Sequence, residues 1–175
     1  MSNLNLKEIY FAGGCFWGVE AYFSQLKGVI ETESGYAQGE IENPSYEAVS
    51  TGKTGFTETV KIIYDPQVIS LESLCDHYFR IIDPFSLNKQ GNDIGTQYRT
   101  GIYYIDLEEK NLLSAVYNAY ECQSTKAFAV ELEPLKNYYP AESYHQKYLK
   151  KNPGSYCHID LSLADANEKK ESHIH

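Results

Sequence analysis

The hexapeptide Gly13-Gly14-Cys15-Phe16-Trp17-Gly18 constrains this chain more than any other stretch. Upstream of it, Leu4 to Ala12 reads as a β-strand. Downstream, Phe16, Val19, Phe23 and Leu26 recur at helical spacing, and Gly28 is a plausible stop. A strand that enters a helix through two glycines makes a tight β–turn–α unit, because glycine accepts backbone angles closed to other residues. Such a unit presents residue 15 at a helix N-terminus.

That position matters for a thiol. The first turn of a helix carries unpaired N–H groups and partial positive charge, which favour a thiolate. Cys15 is therefore expected to have a lowered pKa and to act as a nucleophile. It can equally be a small apolar residue buried in a glycine turn. Phe16 fits the core stripe of the helix, whereas Trp17, the one tryptophan of the chain, lies off it. Aromatic walls beside a nucleophile would accept an apolar group such as a methyl. The plainer expectation for Trp17 is packing against a neighbouring loop.

The remaining pattern is mixed. Val29 to Tyr36 and Thr57 to Tyr64 read as strands, with Ala37 to Pro44 as a loop between them. Ser70 is a candidate N-cap for a helix whose apolar stripe is Leu71, Leu74, Cys75, Tyr78, Phe79 and Ile82. Asp83 to Gln97 is a long loop, and long loops in compact domains are often functional. Thr100 to Ile105 reads as a strand, Leu107 to Cys122 as a helix, Ala127 to Glu133 as a strand, and Ala141 to Lys151 as a short helix. With no repeat and no linker, residues 1–163 are expected to form one domain and residues 164–175 a polar, flexible tail. The order suggests a two-layer α+β domain.

Further candidates follow. Glu58 shares a strand face with Val60, Ile62 and Tyr64. If that face is buried, the carboxyl is desolvated, keeps its proton near neutral pH and can donate it. If it is a strand end, Glu58 simply reaches water. The segment Gly91 to Arg99 offers Asp93, amides and the phenol of Tyr98 between glycines. Tyr46 follows Asn43-Pro44-Ser45, but with 16 tyrosines in the chain a single phenol says little. Cys157 lies after Pro153 and Gly154, where a thiol could reach another sulfur, or could be an incidental surface residue. Cys75 and Cys122 read as structural.

With four scattered cysteines and no C-x-x-C pair, a zinc site has weak support. His173 and His175 offer at most a weak adventitious metal site. The chain has 175 residues, 42% of them hydrophobic, enough for one core. Its formal charge of -9 disfavours nucleic acid as a partner. It shows neither a secretory leader nor a membrane-spanning run, so a cytoplasmic location is expected.

Taken together, these motifs resemble A-type peptide methionine sulfoxide reductases. The hexapeptide around Cys15 is similar to that family's signature. Gly35-Tyr36-Ala37, Asn43-Pro44-Ser45-Tyr46-Glu47, Gly52-Lys53-Thr54-Gly55, Glu58, Gly91 to Arg99, Tyr138 to Glu142, Tyr144-His145-Gln146 and Asn152-Pro153 to His158 follow in family order. The likeness covers roughly residues 7 to 160. The family pattern has histidine where this chain has Phe56.

The resemblance implies an α+β two-layer sandwich with a mixed β-sheet and flanking helices, of ferredoxin-like type. It implies a nucleophile at Cys15, a methyl pocket at Phe16 and Trp17, a proton donor at Glu58 and hydrogen-bonding phenols at Tyr46 and Tyr98. Asp93 would support the site, and Cys157 would resolve the oxidised intermediate. Thioredoxin is the implied external reductant, oxidised proteins, peptides or free methionine sulfoxide the implied substrates, and no bound cofactor or metal is implied. A monomer is expected. Two other classes share the thiol chemistry: a thiol peroxidase or disulfide exchanger, and a non-enzymatic, redox-sensing peptide-binding module. Neither requires a methyl pocket or a protonated Glu58.

Overall fold

A computed structural model describes residues 5–155 and 157–171. The proposed strand start at Leu4, Tyr156 of the last motif, and His173 and His175 lie outside the described residues. The fold is α+β. Its strands are β1 (Lys7–Gly13), β2 (Val29–Ala37), β3 (Thr57–Tyr64), β4 (Lys89–Gln90), β5 (Asp93–Ile94), β6 (Thr100–Tyr104), β7 (Glu131–Pro134) and β8 (Tyr139–Pro140). Its α-helices are α1 (Phe16–Ser24), α2 (Tyr46–Ser50), α3 (Leu71–Ile81), α4 (Leu107–Cys122) and α5 (Tyr148–Lys151).

Six strands form one sheet in the order β7-β6-β1-β3-β2-β8, with β4 and β5 paired separately. All neighbours in the large sheet are antiparallel except β6 and β7, so the sheet is mixed. The alternation of β1 explains the layering, because successive strand residues face opposite sides. Ile9 and Phe11 join the main core with Val60, Ile62 and Tyr64 of β3 and the buried faces of α1 and α3. Tyr10 and Ala12 point the other way, toward Tyr103, Leu135 and Tyr138. Phe11 stacks on Tyr78 of α3 at 4.7 Å, and the Tyr78 hydroxyl donates to the Ala12 carbonyl at 2.6 Å. That bond pins the end of β1, where the Cys15 turn begins.

Several expectations change. The Ala141 to Lys151 helix is broken into a 3-10 turn (Ser143–His145) and α5, because Lys147 adopts φ 54°. Tertiary polar contacts override helical periodicity there: Gln146 bonds both backbone groups of Ser34, and the Lys147 N–H donates to Glu20 at 2.8 Å. Residues 127–130 leave strand geometry because their N–H groups are drawn elsewhere, Phe128 to Glu121 and Ala129 to the Pro84 carbonyl. The expected tail is docked as far as Lys170, whose N–H donates to the Gln25 carbonyl. Ala164 is buried, a capping box closes Asp165 to Glu168, Lys169 bridges to Leu26, and Arg80 holds Glu168 at 2.9 Å. Its polar side chains are partnered on α1 and α3, which composition could not reveal. The long loop at 83–97 contains the β4–β5 hairpin and the start of a 3-10 turn (Thr96–Tyr98). Among the described residues no helix is long and apolar enough to cross a membrane.

Candidate active site

Cys15 is the N-cap of α1, half-buried between the end of β1 and the first helical turn. Gly14 before it takes φ +87°, a left-handed turn that favours glycine. The expected low thiol pKa is not what this environment produces. Burial pushes the Cys15 thiol well up, Glu58 adds to this once it is ionised, and the Trp17 backbone N–H only partly opposes them. Desolvation outweighs the helix terminus, so the resting group is a neutral thiol.

Glu58 is only 2% exposed, and its carboxyl accepts the Phe16 N–H at 3.1 Å. The buried face expected for β3 is present, and Glu58 lies at its end against the first turn of α1. Burial raises its pKa to about 8, against the lowering effect of the Phe16 hydrogen bond. Glu58 therefore holds a proton at neutral pH, bonded to the residue next to the thiol in the chain.

Tyr46 begins α2, and Tyr98 ends the 3-10 turn after β5. Burial raises both phenols, and for both the next cause is the charge of Glu58. Tyr98 also senses Tyr46, Asp93 and Cys15. These five groups, which sequence placed on four separate segments, share one electrostatic neighbourhood. Tyr46 is fixed by its N–H, which donates to Glu142 at 2.9 Å, while Tyr36 donates to the other oxygen at 2.7 Å. Burial lifts the Glu142 carboxyl, but these hydrogen bonds outweigh it and hold the pKa low.

Phe16 is fully buried, tilted against Tyr36 and His145. Trp17 is half-buried, stacks on Tyr148 at 3.6 Å and donates from Nε1 to His145 Nδ1 at 3.0 Å. A cleft of about 290 Å³ beside Trp17, lined also by Ala21, Tyr148 and Leu161, does not include Cys15. Phe56, at the family's histidine position, is a core residue packed against Gly39 and Tyr139.

Cys157 is half-buried, and its thiol donates to the Ile159 carbonyl at 3.2 Å. It lies against Gly18, one helical turn from Cys15. Cys75 is buried in α3; Cys122 is exposed at the end of α4, not in a core. All four thiols are free. Among the described residues no three His, Cys, Asp or Glu side chains converge as metal ligands. From sequence, Glu142 and His145 are only members of shared motifs, His158 is a candidate to assist deprotonation of Cys157 or to ligate a metal, and Tyr148 is not singled out. The contacts that place their side chains in the site reach 65 or more residues along the chain, for which a single sequence carries no local signal.

A sequence model of the family described as peptide methionine sulfoxide reductase matches residues 7–175. The chain belongs to that family. It is similar to peptide methionine sulfoxide reductase MsrA of Clostridium botulinum strain Hall, 58% identical over 89% of this chain and 99% of the relative. Against the MsrA of Ureaplasma parvum it is 52% identical over 91% and 96%. Among solved structures, reduced Mxr1 from Saccharomyces cerevisiae matches with TM-score 0.82 and 37% identity, over 89% of this chain and 91% of that one. The structure titled Mxr1 in complex with Trx2 matches at 0.60 and 26%, over 84% and 87%. As a member of this family, the chain is an oxidoreductase.

Proposed function

We propose that this reductase converts methionine S-sulfoxide, free or within a polypeptide, to methionine through Cys15, with Glu58 lending the proton. The observation that carries the mechanism is the buried Glu58 carboxyl, pKa about 8, bonded to the N–H of the residue after Cys15. A sulfoxide oxygen gains negative charge when a thiol sulfur attacks its sulfur. A protonated carboxyl and two phenols, Tyr46 and Tyr98, offset that charge by donating to the oxygen. Asp93 supports them. Phe16 and Trp17 form the apolar wall against which the substrate methyl packs.

The atoms balance as follows. The Cys15 sulfur attacks, the sulfoxide S–O bond breaks, and oxygen ends on Cys15 as a sulfenic acid carrying the former thiol proton. Methionine leaves, and Glu58 recovers its proton. The Cys157 thiol then attacks the sulfenic sulfur, forming the disulfide and releasing water. A dithiol reduces the disulfide by exchange; by analogy with the Mxr1–Trx2 pair, we assign that part to thioredoxin. A thiol peroxidase or disulfide exchanger would not require the buried Glu58 carboxyl bonded beside Cys15.

We take the enzyme to be a single-domain cytoplasmic monomer that needs neither metal nor bound cofactor. The order β6-β1-β3-β2 supports describing its centre as a ferredoxin-like sandwich. Paired variants test the roles. Cys15→Ser should give no methionine. Cys157→Ser should give one methionine per enzyme and then stall with thioredoxin. Continued thioredoxin-driven turnover by Cys157→Ser would move the resolving role to another thiol.

A further inference from the structure

Two of the glycines around Cys15 face the same dipeptide of the distant C-terminal segment. A methyl group placed on Gly14 would fall 2.9 Å from His158 Nε2, and one placed on Gly18 would fall 2.9 Å from Cys157 Sγ. Real side-chain carbons do not approach so closely, so both positions must stay bare for Cys157-His158 to lie where it does. The His158 ring is also tied down. Its Nε2 lies 3.0 Å from the Gly13 carbonyl oxygen. A carbonyl only accepts, so Nε2 carries the hydrogen and donates it.

Resting on the assignment of Cys157 as the resolving thiol, we infer that His158 is a positioning residue. By bonding to Gly13 it fastens the Cys157 segment onto the turn that carries Cys15. The neutral ring leaves Nδ1 as an acceptor, 3.9 Å from Asp93 Oδ2. Among the described residues both of these buried atoms have no hydrogen-bond partner. The imidazole is thus held by its bond to Gly13, while its other nitrogen faces the Asp93 carboxyl without a hydrogen bond. Holding a reactant near its target converts a diffusive encounter into a local one, and small misplacements reduce the rate steeply. The clamp acts on the step in which the Cys157 S–H bond breaks, the S–S bond forms and the sulfenic oxygen leaves as water. It takes no part in sulfoxide attack.

The test uses pre-reduced full-length enzyme, methionine S-sulfoxide and rapid quenching, without external reductant. Methionine release reads the first step, and loss of the second thiol reads disulfide formation. His158→Leu should release methionine as wild type does and close the disulfide at least about tenfold more slowly, with a sulfenic acid trappable by dimedone. His158→Gln, which keeps an N–H donor at a similar reach, should restore most of the rate. Equilibration with glutathione should show a matching fall, about tenfold or more, in the effective concentration of Cys157 for the leucine variant alone. The stoichiometric burst counts folded enzyme; if the leucine variant lacks it, His158→Asn, too short to reach Gly13, carries the comparison. Wild-type disulfide closure in the variant that lacks the donor would overturn the clamp. Loss of two thiols per methionine in Cys157→Ser would instead overturn the assignment beneath it.

Discussion

Replacing Glu58 by glutamine should change how stability depends on pH, by an amount the structure sets. The folded carboxyl titrates near pH 8, against an ordinary value of 4.5. Between those values the folded chain keeps a proton that the unfolded chain has lost. The folded state then binds more protons than the unfolded state, so stability falls as pH rises. The interval is about 3.5 pH units at about 1.36 kcal/mol each, or about 5 kcal/mol in total, felt fully above pH 8. The amide in Glu58→Gln cannot ionise and keeps an oxygen for the Phe16 N–H, so the variant escapes this cost. Urea unfolding of both proteins from pH 5 to pH 9, with thiols reduced, isolates the effect of Glu58 and the groups it touches because the remaining groups cancel. The stability of Glu58→Gln relative to wild type should rise by several kcal/mol across that range. Parallel curves would show that Glu58 is ionised in the folded enzyme and is no proton donor. In kinetics, wild-type sulfenic acid formation should decline above about pH 8, whereas the variant should be slower by about 10²–10⁴ at neutral pH and lack that decline.

Two further outcomes follow from the packing. Trp17→Phe removes the donor to His145 Nδ1 and should cost about 1–3 kcal/mol in urea unfolding. It should also raise KM for the sulfoxide about tenfold more than it lowers the saturated first-step rate, and an unchanged KM would remove Trp17 from the substrate wall. Glu20→Ala strips a fully buried carboxylate from the hydroxyls of Thr32 and Ser34 and from Lys147. The loss should be about 2–5 kcal/mol, measured by urea unfolding; a loss under about 1 kcal/mol would mean the cluster does not hold the 145–148 loop.

The elements that sequence located well were those with strong local periodicity. β3 begins and ends where its alternation does, α3 begins after its Ser70 cap, and α1 follows the glycine turn. The nucleophile turn was legible for the same reason, since strand, glycines and helix lie within a few residues. What failed was decided by distant partners. Lys147 breaks a helical stripe to reach Glu20, and the polar residues after Leu163 dock on Arg80 and Lys27. The direction of the Cys15 pKa was misread because the helix terminus is visible in sequence, whereas the burial and the Glu58 charge that oppose it belong to the fold. Glu58 itself could be read as buried or as a strand end, and only packing against α1 separates the two.

The most direct test of the mechanism is a thiol count on pre-reduced enzyme before and after methionine S-sulfoxide, with no external reductant. One methionine released and two thiols lost, with the new disulfide mapped to Cys15 and Cys157, is the expected result. Methionine release with a disulfide elsewhere would displace Cys157, and neither methionine nor thiol loss would contradict the reductase mechanism itself.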